Sequence, residues 1–138
     1  MTKQILIVDD EVDFTRLLQY RLQAEQYEVE SASLGMEALN KVRLGAPDLI
    51  LLDVMLPDLD GLTLCGILRR FPGVQRVPVV IISALNSDVT RHSAAQAGAR
   101  LFLSKPVDFD QLKSSIETLL KESARSAQPT ADMESMIG

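Results

Sequence analysis

The sequence predicts an α/β fold, a parallel sheet covered by helices on both faces, and three observations predict it. The segments Ile5–Val8, Leu49–Leu52 and Val79–Ile82 are wholly apolar, as strands buried on both faces must be. Segments with helical spacing of apolar residues separate them. Carboxylates, a serine and a lysine stand just after strand segments rather than within them. Strands alternating with helices give a parallel sheet.

Taken in order, Ile5–Val8 is the first strand. Phe14, Leu18 and Leu22, with Leu17 beside them, mark the first helix. Glu28–Ser33 alternates polar with apolar residues, as a half-exposed edge strand does. Leu34, Ala38 and Val42 repeat the helical spacing after Ser33, the predicted N-cap. Leu49–Leu52 is the third strand, and Leu62, Cys65 and Leu68 form a stripe after Gly61. Val79–Ile82 is the fourth strand. Ser87–Ala97 is a weakly anchored helix whose one large apolar side chain is Val89, with Gly98 as its C-terminal cap. Leu101–Ser104 is the fifth strand, and Phe109, Leu112, Ile116 and Leu119 stripe the last helix. Right-handed crossovers leave few topologies. A flavodoxin-like (βα)5 doubly wound sandwich of strand order 2-1-3-4-5 places the alternating second strand at an edge.

The 138 residues suit one domain, expected at residues 1–121, followed by a flexible tail or linker at 122–138, where the apolar period stops. Hydrophobic residues at 46% argue against a disordered chain. The net charge of −5 argues against direct nucleic-acid binding, which needs cations to neutralise phosphates. One cysteine, Cys65, excludes an internal disulfide, and one histidine, His92, excludes a His-rich metal centre. No apolar run approaches the ~20 residues of a membrane span. The first residues show no cleavable signal, so a cytoplasmic location is expected.

In such sheets ligands bind beyond the carboxyl ends of the strands. Asp9, Asp10 and Glu11 follow the first strand, Asp53 the third, Ser83 the fourth, and Lys105-Pro106 the fifth. Asp9, Asp10 and Asp53 brought together repel one another, and a hard divalent cation resolves the conflict. Helix capping accounts for one of these aspartates but not for a third at the tip of another strand. Lys105 gains a purpose where a phosphoryl group arrives, although alone it reads as an ion-pair partner of the aspartates. Ser83 alone reads as a residue bonding local backbone. A carboxylate can attack phosphorus to form an aspartyl phosphate, and Asp53 is the best placed to do so.

From about Lys3 to Lys121 the chain resembles the receiver domain of two-component response regulators. The matching motifs are ILIVDDE at Ile5–Glu11, DVMLPDLDG at Asp53–Gly61, IISA at Ile81–Ala84 and FLSKP at Phe102–Pro106. The resemblance implies Asp53 as phospho-acceptor from a histidine kinase or histidine phosphotransfer protein. It implies Mg²⁺ or Mn²⁺ held by Asp10, Asp53 and the Met55 carbonyl, with Asp9 acting through a bound water. Lys105 and Ser83 would contact the phosphoryl group, Ser83 and Phe102 would switch, and the Lys105–Pro106 bond would be cis. Phosphorylation would then change the surface of the fourth helix, fifth strand and fifth helix, which would control an effector domain or protein or support a homodimer.

The chain departs from the family pattern in places. Phe102 lacks a tyrosine hydroxyl. Met55 and Leu85, two residues after Asp53 and Ser83, cannot orient an attacking water, which implies slow self-dephosphorylation. Arg100-Leu101 replaces the acidic residues that winged-helix regulators use in dimer salt bridges and argues against that dimer. The first helix in this family can carry kinase recognition, but Phe14 and its flanking leucines read as core. Cys65 reads as a core residue, His92 as solvated, and Arg69-Arg70 with Arg76 as a solvated helix end. The expected role is a signalling phospho-acceptor that catalyses its own phosphorylation and dephosphorylation, not a conventional enzyme. Two alternatives are a degenerate receiver acting as a docking scaffold and a Mg²⁺-dependent aspartyl-phosphate phosphohydrolase. Met55 stands where the latter needs a second aspartate.

Overall fold

Five parallel strands in the order β2-β1-β3-β4-β5 form the central sheet of the computed structural model, which describes residues 2–126. The strands are β1 (Gln4–Val8), β2 (Glu28–Ala32), β3 (Leu49–Leu52), β4 (Val79–Ser83) and β5 (Leu101–Ser104). The helices are α1 (Val12–Ala24), α2 (Gly35–Leu44), α3 (Gly61–Arg70), α4 (Asp88–Gln96) and α5 (Phe109–Ser126). The flavodoxin-like (βα)5 order expected from the sequence is the observed one.

Strand periodicity sorts the core into two layers. Ile5, Ile7, Leu49, Leu51, Val80 and Ile82 face α1 and α5, meeting Leu18, Leu22, Leu112 and Ile116. Leu6, Val8, Ile50, Leu52, Val79 and Ile81 face the other way, meeting Ala38, Val42, Leu64, Cys65, Leu68 and Ala94. Truncating a residue such as Leu112 to alanine costs about 2–5 kcal/mol in cores of this kind.

Several local expectations need correction. Ser33 does not cap α2, whose cap position is Leu34. The Asp58 carboxylate caps it instead from the loop after β3, accepting from Gly35 N at 2.8 Å and Met36 N at 3.0 Å. Ser33 N donates to the Glu37 carboxylate. A cap supplied by a distant loop leaves no local pattern. Leu17 and Leu34 are exposed rather than core residues. Arg69 is not merely solvated: it donates to the Gln75 carbonyl at 2.9 Å and to the Val77 carbonyl, tying the loop before β4 to α3. Helix α5 continues past Lys121 to Ser126, so part of the expected tail is helical, and residues 127–138 lie outside the described residues.

Helix α4 behaves as its composition suggests. Ser87 caps it by accepting from Thr90 N, and Gly98 follows its end at a φ of +101°. Thr90 and Ala94 are its buried residues, and Val89 is 75% exposed. The helix therefore rests on the sheet through small side chains, which gives little burial to hold it.

Candidate functional site

The sheet ladder itself delivers the site residues. Asp9 N bonds the Ala32 carbonyl, Asp53 N the Val8 carbonyl and Lys105 N the Ser83 carbonyl, each at 3.0 Å. Each residue thus extends its strand by one position, with its side chain at the carboxyl rim. The loop from Asp53 to Gly61 is closed by Gly61 N bonding the Val54 carbonyl at 2.8 Å. A Cβ on Gly61 would overlap the Asp53 carbonyl oxygen, so a glycine lets the start of α3 lie against the backbone of Asp53. Asp60 caps α3 by accepting from Thr63 N.

Lys105 stands at the centre. Its ammonium donates to Asp9 Oδ2 at 2.8 Å, Glu11 Oε1 at 2.6 Å and Asp53 Oδ2 at 2.9 Å. The side chain is 10% exposed. Burial alone pulls the lysine pKa down, but the bonds to Asp9, Glu11 and Asp53 outweigh it and raise the pKa, so Lys105 stays charged. The other oxygens are also engaged: Asp9 Oδ1 accepts from Glu11 N at 2.9 Å, and Asp53 Oδ1 from Met55 N at 3.1 Å. Burial pushes the Asp9 carboxyl up, against the opposing effect of Lys105.

The carboxylate oxygens of Asp9, Glu11 and Asp53 lie within 4.8 Å of one another. Three carboxylates against one ammonium leave a surplus of negative charge. An oxygen-only donor set of this kind suits a hard dication. Asp10 stands outside this group: it is exposed and lines a shallow cavity of about 260 Å³ with Thr15, Arg16 and Glu37. Glu11 takes the place beside Lys105 that the sequence had not assigned to it. Its signal lay in the third acidic residue of Asp9-Asp10-Glu11, but the face each would take depends on the turn into α1.

Ser83 is fully buried, and its hydroxyl accepts from Leu85 N at 3.2 Å. That is the local backbone bond its strand-end position allows. Phe102 is half-buried against the α2–α3–α4 layer, under the guanidinium of Arg91. The Lys105–Pro106 peptide bond is cis. Met55 is 56% and Leu85 44% exposed at the rim. Cys65 is buried with its thiol toward the Ala97 carbonyl, and His92 is exposed. No helix among the described residues is long and apolar enough to cross a membrane.

Residues 5–117 match the response regulator receiver domain family. The chain is 41% identical over 121 residues to the response regulator PleD of Caulobacter vibrioides, covering 88% of this chain and 27% of that protein. It is 37% identical over 136 residues to the alkaline phosphatase synthesis transcriptional regulatory protein PhoP of Bacillus subtilis, covering 97% and 55%. The chain thus spans about a quarter to about half of these relatives. Among solved structures, a CheY-like response regulator receiver domain protein from Methanospirillum hungatei superposes with a TM-score of 0.87 at 28% identity, covering 91% of this chain and 99% of that one. A putative response regulator from Chloroflexus aurantiacus does so with a TM-score of 0.84 at 31% identity, covering 88% and 99%. Receiver domains are signalling phospho-acceptors served by histidine kinases. With the family matched across every strand and the acidic rim in place, this chain belongs to the response regulator receiver domain family.

Proposed function

We propose that Asp53 accepts a phosphoryl group from a histidine kinase or histidine phosphotransfer protein in a Mg²⁺-dependent reaction. The observation that carries this reading is the Lys105 ammonium bonded to Asp53, Asp9 and Glu11 at the ends of three strands. An Asp53 oxygen attacks the phosphorus of a phosphohistidine. The P–N bond breaks, the imidazole leaves with the electron pair and takes up a proton, and an acyl phosphate forms. Met55 N fixes the carboxylate through Oδ1, while Oδ2 faces Lys105. Lys105 then turns its charge toward the phosphoryl oxygens.

Asp9, Asp10, Asp53 and the Met55 carbonyl would hold Mg²⁺ or Mn²⁺, which when bound offsets charge on the transferring group. Asp10, exposed here, would have to turn inward to join that set, and Asp9 would act through a bound water. The exposed side chains Val12, Leu17 and Tyr20 on α1 offer an apolar docking face for the donor. The protein remains a signalling phospho-acceptor, with self-dephosphorylation slowed by Met55 and Leu85.

The added charge biases two packings of one surface. Ser83 gives up the Leu85 N–H and bonds a phosphoryl oxygen. Phe102 turns inward, and the α4–β5–α5 surface changes to engage an effector, a partner protein or a second copy of the chain. The sparse burial beneath α4 supports a shift at low cost. Beryllofluoride, which mimics an acyl phosphate, tests this in the presence of Mg²⁺. Amide NMR shifts at Ser83, Phe102 and α4, lost on chelation and absent in Asp53→Asn, are the expected result. Shifts confined to the neighbourhood of Asp53 contradict the switch.

A further inference from the structure

Lys105 has a contact of a second kind. Its ammonium stands 4.4 Å from the centroid of the Phe14 ring. Phe14 lies in the first turn of α1, half-buried against the layer shared with α5. Three carboxylates accept the lysine's hydrogen bonds, while the negative face of the ring lies against the same ammonium.

The two kinds of contact respond differently to a dication. Asp9 and Asp53, two of the three acceptors, offer carboxylate oxygens for which a hard cation would compete directly with the ammonium. An aromatic face is no ligand for such a cation. As carboxylates turn to the metal, Lys105 loses acceptors, and its flexible four-carbon stem would let the charge swing toward solvent. The exposed Glu11 carboxylate and the Phe14 ring are the contacts that metal binding leaves in place, and of the two the ring is the half-buried one.

We infer that Phe14 is a positioning residue for phosphoryl transfer: its ring face keeps the Lys105 ammonium beside Asp53 while Asp9 and Asp53 are engaged by metal. This rests on the reading of Asp53 as the phospho-acceptor. It also explains why an aromatic side chain stands at this point of α1, where packing alone accepts leucine or methionine.

The test compares Phe14→Leu, which keeps apolar bulk, with Phe14→Tyr, which keeps the ring face. At saturating Mg²⁺ and with acetyl phosphate as donor, Phe14→Leu phosphorylates about fivefold more slowly and Phe14→Tyr within about twofold of wild type. In a Lys105→Met background Phe14→Leu has no further effect. A packing role would slow both backgrounds equally, and that result, or an unchanged rate in folded Phe14→Leu, overturns the inference. A measurement on unaltered protein stands beside it. The Lys105 Cε protons, seen by NMR with Mg²⁺ bound, are shifted upfield by the ring, and their appearance at ordinary lysine positions also overturns it. Wild-type protein that takes up no phosphoryl group would instead overturn the assignment of Asp53, a distinct outcome.

Discussion

The guanidinium of Arg91 lies over the Phe102 ring, 4.7 Å from its centroid, and the same group donates to Ser104 Oγ at 2.7 Å. Arg91 Nε also donates to the Asn86 carbonyl at 3.3 Å. One α4 side chain thus joins the loop after β4, the end of β5 and the aromatic proposed to switch. These contacts accompany a Ser83 hydroxyl turned to its own loop, which is the arrangement expected without a phosphoryl group. Arg91→Ala therefore favours the alternative packing. It raises beryllofluoride affinity about threefold in an NMR titration, since a ligand gains whatever bias against its preferred state is removed. An unchanged or weaker affinity would show that Arg91 does not hold the resting state.

The Asp58 carboxyl is held below its ordinary pKa by the Met36 and Gly35 amides that it caps. A depressed folded-state pKa gives stability that is present above the unfolded value and lost as pH falls through the folded value. Wild type is thus more stable than Asp58→Asn at neutral pH. The gap narrows as pH drops below about 4 and closes below the folded pKa. Thermal melts of both proteins across that range check it, and a pH-independent gap would assign the effect to amide geometry rather than charge.

Gly61→Ala places a methyl group into the Asp53 carbonyl and the Val54 backbone. Neither is a flexible side-chain end, so the start of α3 must move away. Urea unfolding is expected to show a loss of about 2–3 kcal/mol, the upper range for overpacking. The rate of Asp53 labelling falls as well, because the residue's backbone is displaced. Full stability in Gly61→Ala would mean that the loop has slack.

Met55 and Leu85, two residues after Asp53 and Ser83, are apolar and exposed. A Met55→Asn, Leu85→Glu double variant supplies an amide and a carboxylate able to orient water. Phosphoryl loss from Asp53, followed by intact mass after removal of donor, is expected to quicken at least about tenfold. A double variant that hydrolyses at the wild-type rate would place the slow step elsewhere.

The fold was legible because its signals are local. Leu49–Leu52 and Val79–Ile82 carry no polar residue, so burial on both faces followed directly. Strand ends fix a rim, which is why Asp53, Asp9, Ser83 and Lys105 could be assigned to one side of the sheet. What escaped depends on directions and distant partners. Asp10 and Glu11 are neighbours in sequence, and the turn into α1 decides which one reaches Lys105. Asp58 caps a helix more than twenty residues earlier in the chain, while Ser33 had the right residue type in the right local place. Arg69 and Arg91 look like surface charges until the carbonyls and the ring they meet are folded into place.

Whether Asp53 is the acceptor is decided by intact mass after incubation with acetyl phosphate and Mg²⁺. One added phosphoryl group is expected on wild type, none on Asp53→Asn, and none on wild type once the metal is chelated. An adduct of equal extent on Asp53→Asn, or no adduct on folded wild type, would contradict that role.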